Sequence, residues 1–206
     1  MKKFVLCFFS GLMVFSFSTI VYAEGTYFSG NIGAAVATDS DVTDQGGNFE
    51  IESDTGIAFG AAVGYAYGNN IRMEAELAYQ KNDIDQVNVP GVGSSVTAGG
   101  DTSSYALLLN GYYDFTNNSA FTPFISAGIG YAKVEVNDFI VNGIPIGSEE
   151  DKVFAYQVGA GVGYAISETL ILDLKYRYFA TADPKFDTAE AEYASHNFYV
   201  GIRAFF

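Results

Sequence analysis

After a strongly apolar start, the chain breaks into segments of about ten residues in which apolar and polar side chains alternate, the pattern of strands with two unlike faces. Eight such segments begin near Gly25, Thr55, Ile71, Thr102, Ala120, Lys152, Leu170 and Ser195. The third is the clearest: Ile71, Met73, Ala75, Leu77 and Tyr79 share one face, and Arg72, Glu74, Glu76 and Gln80 the other. The seventh repeats it, with Leu170, Leu172, Leu174, Tyr176 and Tyr178 against Asp173, Lys175 and Arg177. Elsewhere one face carries only small residues, as in Ala58, Gly60, Ala62 and Gly64, or Gly159, Gly161 and Gly163. Such residues make no polar coat for water. They suit a narrow interior, which turns the large apolar face outward, toward lipid.

The connections sharpen this. Gly68-Asn69-Asn70, Thr116-Asn117-Asn118-Ser119 and Ile166-Ser167-Glu168-Thr169 have tight-turn chemistry. Between them lie long polar stretches at 37–54, 82–101, 137–151 and 181–194. Short and long connections alternate strictly, as do the periplasmic turns and extracellular loops of bacterial outer-membrane barrels. The expected fold is therefore all-β: an eight-stranded antiparallel transmembrane β-barrel with short periplasmic turns and long extracellular loops. Aromatics gather at two heights, Tyr65, Tyr67, Tyr113, Phe115, Phe121 and Tyr164 beside the tight turns, and Tyr79, Tyr105, Tyr131, Phe154, Tyr156 and Phe198 beside the long loops. These read as the two interfacial girdles.

The first residues predict a cleaved export signal over 1–23: Lys2 and Lys3, an apolar run from Phe4 to about Ile20, and Val21-Tyr22-Ala23 as the cleavage site. Residues 24–206 then form the barrel domain. Cleavage removes Cys7, the one cysteine, so no disulfide is expected. It leaves eight basic residues against 24 acidic, a formal charge of −16, which argues against nucleic acid as a partner. No later apolar stretch is long enough for a transmembrane helix, so a membrane crossing requires a closed barrel.

The last segment, Phe198-Tyr199-Val200-Gly201-Ile202-Arg203-Ala204-Phe205-Phe206, ends on an aromatic residue with apolar residues at alternate positions behind it. It resembles the signal by which the barrel-assembly machinery recognises its clients, with Phe206 as the assembly signal. Phe124-Ile-Ser-Ala-Gly-Ile-Gly-Tyr131 and Asp173-Leu-Lys-Tyr-Arg-Tyr-Phe179 resemble the fifth and seventh strands of small OmpA-type and opacity or surface-antigen barrels. That resemblance implies an eight-stranded barrel in the outer membrane. The chain stops at the eighth strand, so no peptidoglycan-binding domain and no cell-wall tether are expected.

Arg72, Glu74 and Glu76 of the third segment, Asp173, Lys175 and Arg177 of the seventh and Arg203 of the eighth are expected to form a charge network in the lumen. Equal distances from their turns match Glu76 with Lys175, and put Arg203 beside Asp173. An eight-stranded interior is only just wide enough for side chains, so a structural network is favoured over a gate. The loops are acidic, with Asp39, Asp41, Asp44, Glu50, Glu52 and Asp54 in the first, Asp138, Glu149, Glu150 and Asp151 in the third, and Asp183, Asp187, Glu190 and Glu192 in the fourth. Asp39, Asp41, Thr43 and Glu50 echo calcium-loop spacing, but Asp44 stands where an EF-hand needs glycine. Loose capture of divalent cations, bridging to lipopolysaccharide phosphates, fits better. Gly159-Ala-Gly161-Val-Gly163 lies within a strand and is lining, not a phosphate cradle. His196 and its neighbour Ser195 point to opposite faces, which spoils them as base and nucleophile of a lipid A-modifying enzyme.

No enzyme activity, metal or cofactor is expected. The reading is a surface protein whose barrel displays acidic extracellular loops to a host or cell-surface ligand, set among outer-membrane lipid and lipopolysaccharide. The alternative is a small-solute, cation-favouring channel, with water beside the small residues of the second, fifth and sixth segments.

Overall fold

The computed structural model describes residues 24–206 except 39, 45–46, 54, 89–94, 142–143, 183–184, 187–188 and 192; side chains are described outside 39–54, 84–99, 138–149 and 183–192. The signal expected over 1–23 and the calcium-like spacing of the first loop fall outside the described residues. The strands are β1 (Gly25–Ala37), β2 (Ser40–Asp44), β3 (Gly47–Ser53), β4 (Gly56–Ala66), β5 (Ile71–Asn88), β6 (Ser95–Asp114), β7 (Phe121–Val141), β8 (Ile144–Ala165), β9 (Leu170–Thr181), β10 (Lys185–Phe186), β11 (Ala189–Ala191) and β12 (Ala194–Phe205). Eight of them, in the order β1, β4, β5, β6, β7, β8, β9 and β12, form an antiparallel wall. The wall closes where β1 pairs with β12, from Tyr27 opposite Phe205 to Ala37 opposite Ser195.

Alternation sorts the side chains as expected. Leu77 is 65% exposed and Glu76 beside it 1%. Phe28, Ile32, Ile57, Leu107, Ile125, Ile129, Val158 and Leu174 project outward around the wall. A belt of that kind is stable against hydrocarbon and costly against water. Aromatic contacts gather at both of its edges: Tyr65 on Tyr67 and Tyr113 on Phe115 at the tight-turn end, Tyr79 on Tyr105 and Tyr131 on Phe154 at the loop end.

The tight turns fall where the sequence places them. Asn70 takes a φ of 69° in the first, a left-handed conformation that asparagine tolerates. In the second, Asn117 Oδ1 accepts from the Ser119 backbone N–H at 2.8 Å while its Nδ2 donates to the Phe121 carbonyl at 2.8 Å.

The long connections differ from expectation. Much of 82–101 and 137–151 is strand: β5 and β6 continue pairing out to Asn88 and Ser95, and β7 and β8 to Val141 and Ile144. In the first connection β2 and β3 form a hairpin whose second strand pairs with the outer part of β5. In the extensions of β5 and β7 the apolar residues do not alternate, with Ile84 and Val87 out of step and Phe139-Ile140-Val141 consecutive, and the pairing shifts register at both places, so alternation is a poor guide to their limits.

Candidate functional site

Arg72, Glu74, Glu76 and Gln80 of β5 and Asp173, Lys175 and Arg177 of β9 turn polar or charged groups into the lumen, where they stack in layers. Nearest the tight turns, Arg203 grips Asp173 through two parallel bonds, Nε to Oδ2 at 2.9 Å and Nη2 to Oδ1 at 2.8 Å. Arg72 makes the same fork with Asp114, at 2.7 and 2.9 Å, and its guanidinium lies 4.3 Å from the centre of the Tyr112 ring. Glu74 lies 3.6 Å from Arg72 and accepts from the Tyr27 hydroxyl at 2.8 Å.

Glu76 sits at the centre. It accepts from Arg177 Nη1 at 2.9 Å, Asn110 Nδ2 at 2.6 Å and Gln157 Nε2 at 3.3 Å. Arg177 also donates to the Tyr199 hydroxyl. The match of Glu76 with Lys175 is thereby corrected: Arg177, one inward position further along β9, carries the ion pair. Counting from the turns ignores the stagger that closing a barrel imposes on its strands. Lys175 is buried near the Tyr199 ring, 5.3 Å from its centre, and among the described residues no carboxylate stands within ion-pair distance of it.

Among the described residues eight buried charges, Arg72, Lys175, Arg177 and Arg203 with Glu74, Glu76, Asp114 and Asp173, sum to zero. The balance keeps the lumen neutral as a whole, with Lys175 the one of these groups that has no carboxylate at ion-pair distance among the described residues. Asp114, Asn110, Gln157, Tyr27, Tyr112 and Tyr199 belong to the network yet were not singled out by sequence. Their signal was present in parity alone: Asn110, Tyr112 and Asp114 alternate with outward Leu109, Gly111 and Tyr113.

The glycines of β4 and β8 do not leave water-filled space. A Cβ on Gly64 would meet the Tyr27 ring at 2.4 Å, and one on Gly163 would meet Arg203 Nη2 at 2.9 Å and Asp173 Oδ1 at 3.0 Å. The small residues are the hollows into which large side chains from neighbouring strands fold. A cavity among Arg72, Glu74, Asp173 and Lys175 measures 10 Å³, about the room of one water.

Toward the loops an apolar cluster of Leu108, Val134, Val153 and Phe179 packs with Tyr193, beside the buried polar side chains of Gln80, Ser104, Ser195 and Asn197. Tyr193 comes from the fourth long connection, accepts from Gln80 Nε2 at 2.8 Å and meets the Phe179 ring edge-on. Burial pushes its phenol well above the usual tyrosine range, so it is a neutral cork at any physiological pH.

Ser195 is buried on the lumen side, donating to Gln80 Oε1 at 3.2 Å. His196 faces outward, its Nδ1 2.7 Å from the Tyr176 hydroxyl. The wall separates the two. Phe206 stacks on Phe28 with ring centres 5.0 Å apart, and its backbone N–H reaches the Thr26 carbonyl at 3.2 Å. Among the described residues no group of His, Cys, Asp and Glu side chains is arranged to hold a metal ion.

Residues 7–206 match the family model described as outer membrane protein beta-barrel domain. Outer membrane protein PagN of Salmonella typhimurium is 28% identical over 239 residues, covering 98% of this chain and 98% of that protein. A putative adhesin of Rickettsia massiliae is 25% identical, covering 98% of this chain and 99% of its own length. Among solved structures, Neisserial surface protein A (NspA) aligns with a TM-score of 0.57 at 20% identity, covering 89% of this chain and all of its own. OprG of Pseudomonas aeruginosa aligns with a TM-score of 0.62 at 14% identity, covering 90% and 97%. At these identities the two structures share the fold alone.

Proposed function

Because the chain belongs to the outer membrane protein beta-barrel domain family, we propose that it is a surface protein whose plugged barrel holds acidic loops outward for adhesion or another surface interaction. The observation that supports this reading is the filled lumen, where eight balanced charges are buried among the described residues beside a cluster with Tyr193, which turns attention to the loops. Loops on a rigid scaffold are where binding resides. The relatives named adhesins, matched over nearly their whole length, support the same direction. Under this reading no catalysis is assigned, since Ser195 and His196 lie on opposite sides of the wall.

The biogenesis that goes with it has three parts. Residues 1–23 direct export and are removed, residues 24–206 form the barrel, and Phe206 presents the chain to the barrel-assembly machinery. The test pairs two measurements on the protein from outer membranes. In planar bilayers it is expected to give no stable conductance. Expressed in a non-adherent bacterium it is expected to confer attachment to epithelial cells, lost when 183–192 is replaced by a short turn. A steady open channel without attachment overturns the reading in favour of a cation-favouring pore.

A further inference from the structure

The outer wall carries a feature that neither the lumen nor the loops account for. Cross-strand pairing aligns Phe59, Tyr79, Tyr105, Lys133 and Lys152 in one row running over β4 to β8. The next row toward the tight turns is Ala61, Leu77, Leu107 and Tyr131. Between them lies a groove of about 770 Å³, a size typical of small-ligand sites. Its floor is apolar, with Leu77, Leu107 and Tyr131 each at least 60% exposed. Ala61 and Gly30 make it shallow-walled at one end, and the two lysines close it at the other.

Lys133 and Lys152 stand directly opposite each other on β7 and β8. Like charges in that arrangement repel and destabilise the pair. Two carboxylates offset the pair's formal charge, both on one side: Lys133 Nζ lies 2.6 Å from Glu135 and 2.5 Å from Glu150. Among the described residues none lies within ion-pair distance of Lys152. The chain has only four lysines outside both the lumen and the leader, Lys81, Lys133, Lys152 and Lys185, amid a large acidic excess. Setting two of them face to face places two ammonium groups at the end of an apolar groove, with both neighbouring carboxylates on Lys133.

Height fixes the kind of anion. The lysine row lies one step outside the girdle pair Tyr131 and Phe154, on the loop side. That is the headgroup level of the outer leaflet. We propose that this groove is a binding site for lipopolysaccharide, with an acyl chain along Leu77 and Leu107 and a lipid A phosphate between Lys133 and Lys152. The phosphate relieves the lysine repulsion and displaces Glu150, which is 60% exposed at its side chain, from Lys133. This site is independent of what the loops bind.

The test is native mass spectrometry of the barrel purified from outer membranes and offered bisphosphorylated lipid A, dephosphorylated lipid A or phosphatidylglycerol. The parent is expected to retain bisphosphorylated lipid A over both others. Lys133→Gln with Lys152→Gln should weaken that retention about thirtyfold, given two juxtamembrane lysine contacts. Glu150→Gln should strengthen it, because it frees Lys133. Equal retention of all three lipids, or a double variant that holds lipid A as the parent does, overturns the proposal. Each variant's heat-modified shift on gels confirms that a folded barrel was measured.

Discussion

Replacing Glu76 by glutamine keeps the shape of the central side chain and removes its charge. Arg177 then remains in the lumen beside a neutral amide, with Tyr199 as its other hydrogen-bond partner. Breaking a buried ion pair by neutralising one member costs about 3–5 kcal/mol, because the surviving charge is left desolvated. The Asn110 and Gln157 amides also lose a charged acceptor, so the upper part of that range is expected. With a urea dependence of about 2 kcal/mol per molar, the unfolding midpoint should fall by about 1.5–2.5 M. The assay is urea unfolding of the refolded barrel in lipid vesicles, followed by tyrosine fluorescence and by the gel shift between folded and unfolded forms. Adding Arg177→Met to Glu76→Gln removes both charges together and should recover most of the loss. A single variant that unfolds with the parent, or a double variant no better than the single, would refute the idea that Glu76 and Arg177 hold each other in the lumen.

Lys175→Met should cost much less than Glu76→Gln in the same titration, since no carboxylate among the described residues pairs with Lys175; an equal loss would show that its charge is needed. Gly163→Val should destabilise by about 1–3 kcal/mol by pushing into the Arg203–Asp173 fork, read as a lower temperature of the gel shift, and a parental temperature would contradict that crowding. Deleting Phe206 should sharply reduce barrel in the outer membrane of cells while leaving refolding into vesicles nearly intact, because the folded barrel loses only a ring stack and one backbone bond; equal defects in both settings would remove the assembly role.

The wall was legible because each of its strands has two unlike faces. Ile71 to Gln80 and Leu170 to Tyr178 declare inside and outside residue by residue, and the Asn- and Ser-rich turns fix where each pair begins. The strand extensions beyond the wall were not legible, since Ile84 and Val87 fall out of step across a register shift and Phe139 to Val141 run without alternation. Within the lumen, the charged residues could be assigned to the interior, but not each to its partner. Pairing depends on stagger between strands distant in sequence, which placed Arg177 and not Lys175 against Glu76. The small residues were also open to two readings. Gly64 and Gly163 describe equally a water-filled space and a hollow for a neighbour's ring or guanidinium, and only the neighbours decide.

The pairing of β1 with β12 sets an order of events during biogenesis. Tyr27 must wait for Phe205, so the wall has a bare edge on each side until the last residues of the chain arrive. An export intermediate lacking β12 would present the hydrogen-bonding groups of both β1 and β9, two templates for pairing with another chain. Closure is therefore all or nothing, since the β1 and β9 edges are covered together when β12 pairs with both.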